Sequence, residues 1–233
     1  MNHLYNIFIK LIDKLILPIL GLYNPKIKRF RTNRLSLIEK IKNEVSDKNN
    51  IIWFHVASLG EYEIAVKLIR LIKEKYKSKI ILTFFSESGF KLKNRIKEID
   101  YTYYLPLDTK SNAKKFLDII NPELVIFIRS EIWPNYLNEI KKRNIKSYLV
   151  ESRFHQNSRY LRGIQSVFYL KKLKIFDKIF TVDEESKKTL NRVKLNNAVV
   201  SGSLKIERVK DYLNDNYNNN IINSFKGDDL CVV

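Results

Sequence analysis

The sequence predicts an α/β protein built on a Rossmann-like parallel sheet, and three observations carry that prediction. Seven short apolar runs recur, stretches of helical period lie between most of them, and prolines sit where one element gives way to the next. The runs fall at 51–56, 79–85, 101–105, 124–128, 146–150, 178–182 and 198–201. Runs that are apolar almost throughout suit strands buried on both faces. Alternation of such strands with helices is the pattern of strand-helix-strand units.

The first run ends in Trp53-Phe54-His55-Val56-Ala57-Ser58-Leu59-Gly60-Glu61, where a Ser-x-Gly-Glu turn opens an amphipathic helix. Ile64, Leu68, Leu71, Ile72 and Tyr76 form its expected apolar stripe. Ser111 is the expected N-cap of a later helix carrying Ala113, Phe116, Leu117 and Ile120. Pro106, Pro122 and Pro134 fall at element boundaries, where a missing N–H does no harm. Glu61 is of particular interest, because the carboxyl ends of strands line the ligand crevice of an open α/β sheet. A carboxylate in a first helical turn is also favoured by the helix dipole, so position alone does not choose between a general base and a cap.

The 233 residues carry a formal net charge of +18, which implies a polyanionic partner: nucleic acid, an anionic membrane surface or a phosphorylated substrate. A compositional bias towards Lys, Ile and Asn accounts for part of the excess. The single cysteine, Cys231, excludes an internal disulfide framework and a cysteine-based zinc site. No G-x-G-x-x-G or G-x-x-x-x-G-K-[ST] sequence occurs.

Residues 4–23 hold many large apolar side chains, but Lys10, Asp13 and Lys14 interrupt them and make a stable transmembrane span costly. The expected structure is a helix lying in a bilayer surface, backed by Lys26, Lys28, Arg29, Arg31 and Arg34 against anionic headgroups. A helix docked on the protein's own core is the alternative. The mostly polar stretch 215–223 suits a linker, and 229–233 resembles the opening of another buried strand.

Six segments, taken together, resemble the 3-deoxy-D-manno-octulosonic acid (Kdo) transferases, the family 30 glycosyltransferases that act on lipid A. The first is the stretch ending at Glu61. The others are Leu82-Thr83-Phe84-Phe85-Ser86-Glu87-Ser88-Gly89, Tyr104-Leu105-Pro106-Leu107-Asp108, Asn121-Pro122-Glu123-Leu124-Val125-Ile126, Glu131-Ile132-Trp133-Pro134-Asn135 and Ser201-Gly202-Ser203-Leu204-Lys205. The resemblance implies the N-terminal, acceptor-binding domain of a GT-B enzyme, whose second Rossmann-like domain would bind the donor. It covers only the first half of a usual family member. The expected organisation is a membrane-associated helix and basic segment at 1–34, the acceptor-binding domain at 35–210, and a linker with the start of the donor domain at 211–233. A separate polypeptide would then supply the other half, or the chain is a fragment or remnant.

Carried over by resemblance, Glu61 matches the family's proposed catalytic base, and Lys205 a position that would stabilise transition-state charge. Ser58, Gly60, Ser86, Ser88, Gly89, Glu131, Arg153 and Ser203 match substrate-binding segments. Two departures stand out. Arg129 occupies a position where family members commonly have an acidic residue, which inverts the local charge. Glu151 departs from the Asn of the family's Asn-Ala-Arg segment. Arg153, with Arg159, Arg162, Lys171, Lys172 and Lys174, is a candidate surface for acceptor phosphates. For these lysines, as for Lys205, a solvated basic face is the plainer explanation.

His55 is expected to be a satisfied core or near-site histidine rather than a metal ligand, and Trp133 a core or rim residue. The resemblance implies CMP-Kdo as donor substrate, a lipid A precursor as acceptor, no cofactor or metal, and a site at the cytoplasmic face of the inner membrane. A non-catalytic, glycolipid-binding remnant is the alternative. Nucleic-acid binding is disfavoured because no DNA or RNA module accompanies the charge.

Overall fold

The computed structural model describes residues 1–90, 98–158 and 160–214. Seven strands form one parallel sheet: β1 (Ile51–Val56), β2 (Lys79–Phe84), β3 (Tyr101–Tyr104), β4 (Leu124–Ile128), β5 (Lys146–Ser152), β6 (Lys178–Thr181) and β7 (Ala198–Val200). They lie in the order β3-β2-β1-β4-β5-β6-β7. The strand order therefore reverses between β1 and β4, neighbours that pair from Ile52 with Leu124 to His55 with Phe127. Every predicted strand is present, with ends shifted by at most two residues, as fraying element ends allow. The predicted linker at 215–223, the strand opening at 229–233 and Arg159 lie outside the described residues.

Helices cover the sheet unequally. On one face α7 (Lys110–Ile120), α8 (Pro134–Lys142), α9 (Ser166–Leu173) and α10 (Glu184–Arg192) join α4 (Leu37–Glu44) over a core that includes Trp53, Phe116, Phe127 and Tyr136. The Trp53 ring meets Phe116 and Phe127 edge-on at 5.0 and 5.3 Å, contacts favoured by the ring quadrupoles. On the other face α5 (Leu59–Tyr76) and α11 (Leu204–Asn214) cover part of the sheet, Arg208 of α11 donating to Glu63 of α5 at 2.9 Å.

Two local expectations are corrected. In α5 the buried positions are Tyr62, Ile64, Ala65 and Ile69, while Leu71 and Tyr76 are 55% exposed. The helix rests on the sheet along Tyr62, Ala65 and Ile69, and Leu71, two residues past Ile69, is turned away by the 3.6-residue period. The N-cap of α7 is Thr109, whose side chain accepts from Asn112 N at 3.1 Å, two residues ahead of Ser111.

The N-terminal segment is helical, as α1 (Asn2–Leu11), a π-helical turn (Ile12–Ile16) and α2 (Leu17–Tyr23), followed by α3 (Pro25–Leu35). Among the described residues no helix is long and apolar enough to cross a membrane. The segment docks on the domain in part, as one of the sequence-based alternatives expects. Asn6 is buried and Tyr5 reaches Asp108 across the domain, yet Leu4, Ile7, Phe8, Leu11, Leu15, Ile19 and Leu20 are exposed. Arg34 does not face outward with its basic neighbours. It donates to the carbonyls of Leu105, Phe30 and Phe85 and lies 3.8 Å over the Phe30 ring. Burial lowers its pKa to about 10.

Candidate active site

The strand-order reversal opens a crevice at the carboxyl ends of β1 and β4, where ligands bind in sheets of this type. Glu61 follows β1, and Arg129 and Glu131 follow β4. Ser58 is extended at φ −144°, and α5 begins at the next residue. The chain then turns so that Ala57 N donates to Glu61 Oε2 at 2.5 Å, bending the side chain back over the end of its own strand. Burial raises the Glu61 pKa, and Ala57's N–H opposes it. Glu131 adds to the rise, while His55 and Arg129 pull it down. A carboxylate whose pKa is raised in this way is better suited to taking a proton than an ordinary one.

Glu131 is held from both sides. Its Oε2 accepts from Trp133 Nε1 at 2.8 Å and lies 3.1 Å from His55 Nε2. His55 is fully buried, with Nδ1 2.8 Å from Thr83 Oγ1, which in turn accepts from Trp53 Nε1 at 2.8 Å. With its proton on Nε2, His55 donates to Glu131 and accepts from Thr83. A hydrogen-bonded line thus runs from the core indole of Trp53 to the crevice indole of Trp133. No partner is present for Glu131 Oε1 among the described residues. The expectation that His55 is a satisfied near-site residue holds, whereas Trp133 does more than fill a rim: it orients Glu131.

The remaining predicted residues divide into two groups. Arg129, exposed and at φ +65°, donates from its backbone N to Val150 O at 2.7 Å and stands close enough to bias Glu61. Gly60 is exposed with open space where a Cβ would be. Ser86 N donates to Ala57 O at 2.8 Å, which keeps the loop after β2 against the Glu61 turn. Ser88 and Gly89 lie in the short α6 (Glu87–Phe90), and a Cβ on Gly89 would stand 2.0 Å from the Phe84 ring, so this glycine is required by packing.

The second group lies beyond β5. Ser203 Oγ donates to Glu151 Oε1 at 2.6 Å and Leu204 N to Glu151 Oε2 at 2.7 Å. Glu151, buried and at φ +58°, thereby caps α11, whose exposed first turn carries Lys205. Arg153 pairs with Asp183 at 3.5 Å on the surface. Among the described residues no contact joins Lys205 or Arg153 to the Glu61 cluster. Lys172, expected on a basic face, is instead buried, donating to Asn138 Oδ1 at 2.6 Å.

A cleft of about 470 Å3 adjoins Glu131, lined also by Tyr5, Phe85, Trp133, Tyr160 and Tyr169. Its outer wall is fixed through Asp108. This fully buried carboxyl accepts from Tyr5 OH at 2.6 Å and from the backbone N–H groups of Asn135 and Tyr136 at 3.1 Å, capping α8 while it holds α1. Burial raises its pKa to about 7, against the pull of these donors and of Lys172.

Residues 29–208 match the family model described as 3-deoxy-D-manno-octulosonic-acid transferase (kdotransferase). The chain belongs to this Kdo transferase family. It is 32% identical over 173 residues to the 3-deoxy-D-manno-octulosonic acid transferase of Rickettsia felis, a match covering 73% of the chain and 37% of the relative. The Haemophilus influenzae enzyme of the same name is 28% identical over 161 residues, covering 68% and 38%. The chain thus spans well under half the length of these Kdo transferases. Among solved structures, UDP-N-acetylglucosamine 2-epimerase from Rickettsia bellii superposes with a TM-score of 0.56 at 16% identity, covering 76% of the chain and 51% of the epimerase. The Neisseria meningitidis epimerase bound to UDP-GlcNAc gives 0.54 at 15%, covering 76% and 53%. These likenesses show the fold alone.

Tyr5, Asp108 and the capping role of Glu151 escape the reading of this Kdo transferase family sequence. Asp108 ends a segment that resembles the family, which is a signal of importance, but its partner lies 103 positions away.

Proposed function

We propose that this domain binds the acceptor in an inverting, metal-independent transfer of Kdo from CMP-Kdo to a lipid A precursor, a step of lipopolysaccharide synthesis at the cytoplasmic face of the inner membrane. The observation that carries the reading is the Glu61 carboxylate, half-buried at the strand-order reversal with its pKa raised and Glu131 beside it. Glu61 takes the proton from the acceptor hydroxyl as that oxygen attacks the anomeric carbon of CMP-Kdo, and CMP leaves from the opposite side. Glu131, oriented by His55 and Trp133, accepts from the acceptor and keeps Glu61 from ionising too readily. Lys205, presented by α11, balances charge on the departing CMP. A donor-binding domain, matching the part of the relatives that this chain does not span, completes the crevice. The exposed apolar side chains of α1 and α2, with Lys26, Lys28 and Arg29 beside them, rest on the anionic leaflet.

The exposed Arg129 favours a second reading, a glycolipid-binding module without transfer chemistry, because a guanidinium near Glu61 weakens it as a base. The deciding experiment is Kdo transfer from CMP-Kdo to a tetraacylated lipid A precursor, by the chain alone and with a donor-domain polypeptide added, with Glu61→Gln as control. Transfer that vanishes in Glu61→Gln supports the enzyme. Acceptor binding without transfer in either reaction supports the binding module.

A further inference from the structure

Proton transfer by Glu61 leaves the cleft between Glu131 and α1 without a role. Five aromatic side chains line it, with Ser130, Glu131 and Gln165 as polar neighbours. The Phe85 and Trp133 rings lie 5.0 Å apart at 41°, and Tyr160 meets Tyr169 edge-on at 5.0 Å. Ring faces beside a carboxylate oxygen that lacks a partner suit a pyranose, whose C–H face packs on aromatics while its hydroxyls donate at the rim. A volume of about 470 Å3 falls within the range of small-ligand pockets. A hydrocarbon chain in the same place would strip water from Glu131 Oε1 and return no hydrogen bond.

We propose that this cleft is the subsite for the acceptor's sugar headgroup, and that α1 is its wall. The proposal rests on the acceptor-binding reading above. Tyr5 is fixed in that wall by its hydrogen bond to Asp108 and by the Phe168 ring at 5.7 Å. Its neighbour Asn6 is buried, while Leu4, Ile7 and Phe8 on the same helix are exposed. One helix therefore carries both the side chains that meet a lipid surface and the tyrosine that meets the headgroup. Asp108 ties this wall to the N-terminus of α8, immediately after the Glu131 to Trp133 turn. Displacing α1 removes Tyr5 from the cleft wall.

Tryptophan fluorescence reads the site directly, because Trp53 is fully buried and Trp133 lines the cleft. The intact chain is titrated with the deacylated glucosamine disaccharide bisphosphate of lipid A, with inorganic phosphate and with lauric acid. The expected result is a saturable change with the disaccharide alone, its affinity reduced at least tenfold in Tyr5→Ala and in Tyr169→Ala. Tyr5→Phe keeps the ring and loses the bond to Asp108, so a smaller loss is expected. Far-UV circular dichroism identifies any variant that fails to fold, and Tyr169→Ala tests the opposite wall independently of α1.

An equal response to phosphate assigns the signal to charge and overturns the sugar subsite. Saturation by lauric acid in place of the disaccharide makes the cleft an acyl slot and also overturns it. Wild-type affinity in folded Tyr5→Ala removes α1 from the wall. Headgroup binding without Kdo transfer, even with a donor domain present, would sink the transferase reading alone. Transfer by a chain whose tryptophan does not sense the headgroup would sink the subsite alone.

Discussion

Asp108 makes the stability of this domain depend on pH in a direction opposite to that of most carboxylates. Its folded pKa of about 7 lies above the usual value of 3.8, so the folded state holds the proton more tightly than the unfolded state. The associated stability is complete below pH 3.8 and is lost as pH rises through 7. Linkage between these two values gives a loss of about 2.5 kcal/mol between pH 5 and pH 8. Asp108→Asn keeps an acceptor for Tyr5 and the α8 amides and removes the titration. Urea unfolding of both proteins at pH 5, 6, 7 and 8 isolates this group, because the other titrating groups cancel in the difference. The variant should gain on the wild type by about 2.5 kcal/mol across that range, with most of the change between pH 5 and 7. A difference that stays constant from pH 5 to 8 would show that Asp108 is ionised throughout and refute the argument.

Glu61→Gln should lower transfer by about 10² to 10⁴-fold yet leave the urea midpoint at pH 7.5 unchanged or higher, since a carboxylate with a raised pKa costs stability once ionised; a lower midpoint would count against the burial argument. Gly60→Ala should raise stability by about 0.4–1 kcal/mol, because its Cβ meets open space, whereas Gly89→Ala should destabilise through the clash with Phe84; thermal melts of both test the contrast. Glu151→Ala removes the α11 cap and should cost about 1 kcal/mol, with amide exchange quickened first at residues 204–206; uniform quickening across the sheet would deny the local role. Phe8→Asp should weaken sedimentation with anionic vesicles while circular dichroism is unchanged, and unaltered co-sedimentation would take α1 off the membrane.

The strands were legible because each is an apolar run bounded by turn residues, and the parallel arrangement follows from the helical periods between them. The stripe of α5 is displaced around the helix from the one its sequence suggests: Ile64 is buried and Leu68 and Ile72 partly so, but Tyr62, Ala65 and Ile69 lie outside the expected stripe. Leu71 and Tyr76 fit a helical period, but contact with the sheet is set by how the helix is pitched, which the period does not contain. Arg34 and Lys172 read as surface cations because chain composition says nothing of enclosure, and long stems allow a charged head to turn inward. Glu61 and Glu131 lie in short local motifs, whereas the charge of Glu131 acting on Glu61 depends on β1 and β4 becoming neighbours. Tyr5 and Asp108 carry no local signal of their pairing, since neither residue type nor spacing distinguishes that tyrosine from the others.

The Tyr5 to Asp108 bond also sets an order of events during synthesis. The partner of Tyr5 is made 103 residues later, and at ordinary elongation rates that interval is about 5 to 20 s. Throughout it the α1 segment lacks its docking site, and the apolar side chains that later stay exposed are then joined by the tyrosine. A segment that waits this long for its partner is open to other apolar contacts before its own domain forms. The cleft closes only once the strand and loop leading to Asp108 have emerged.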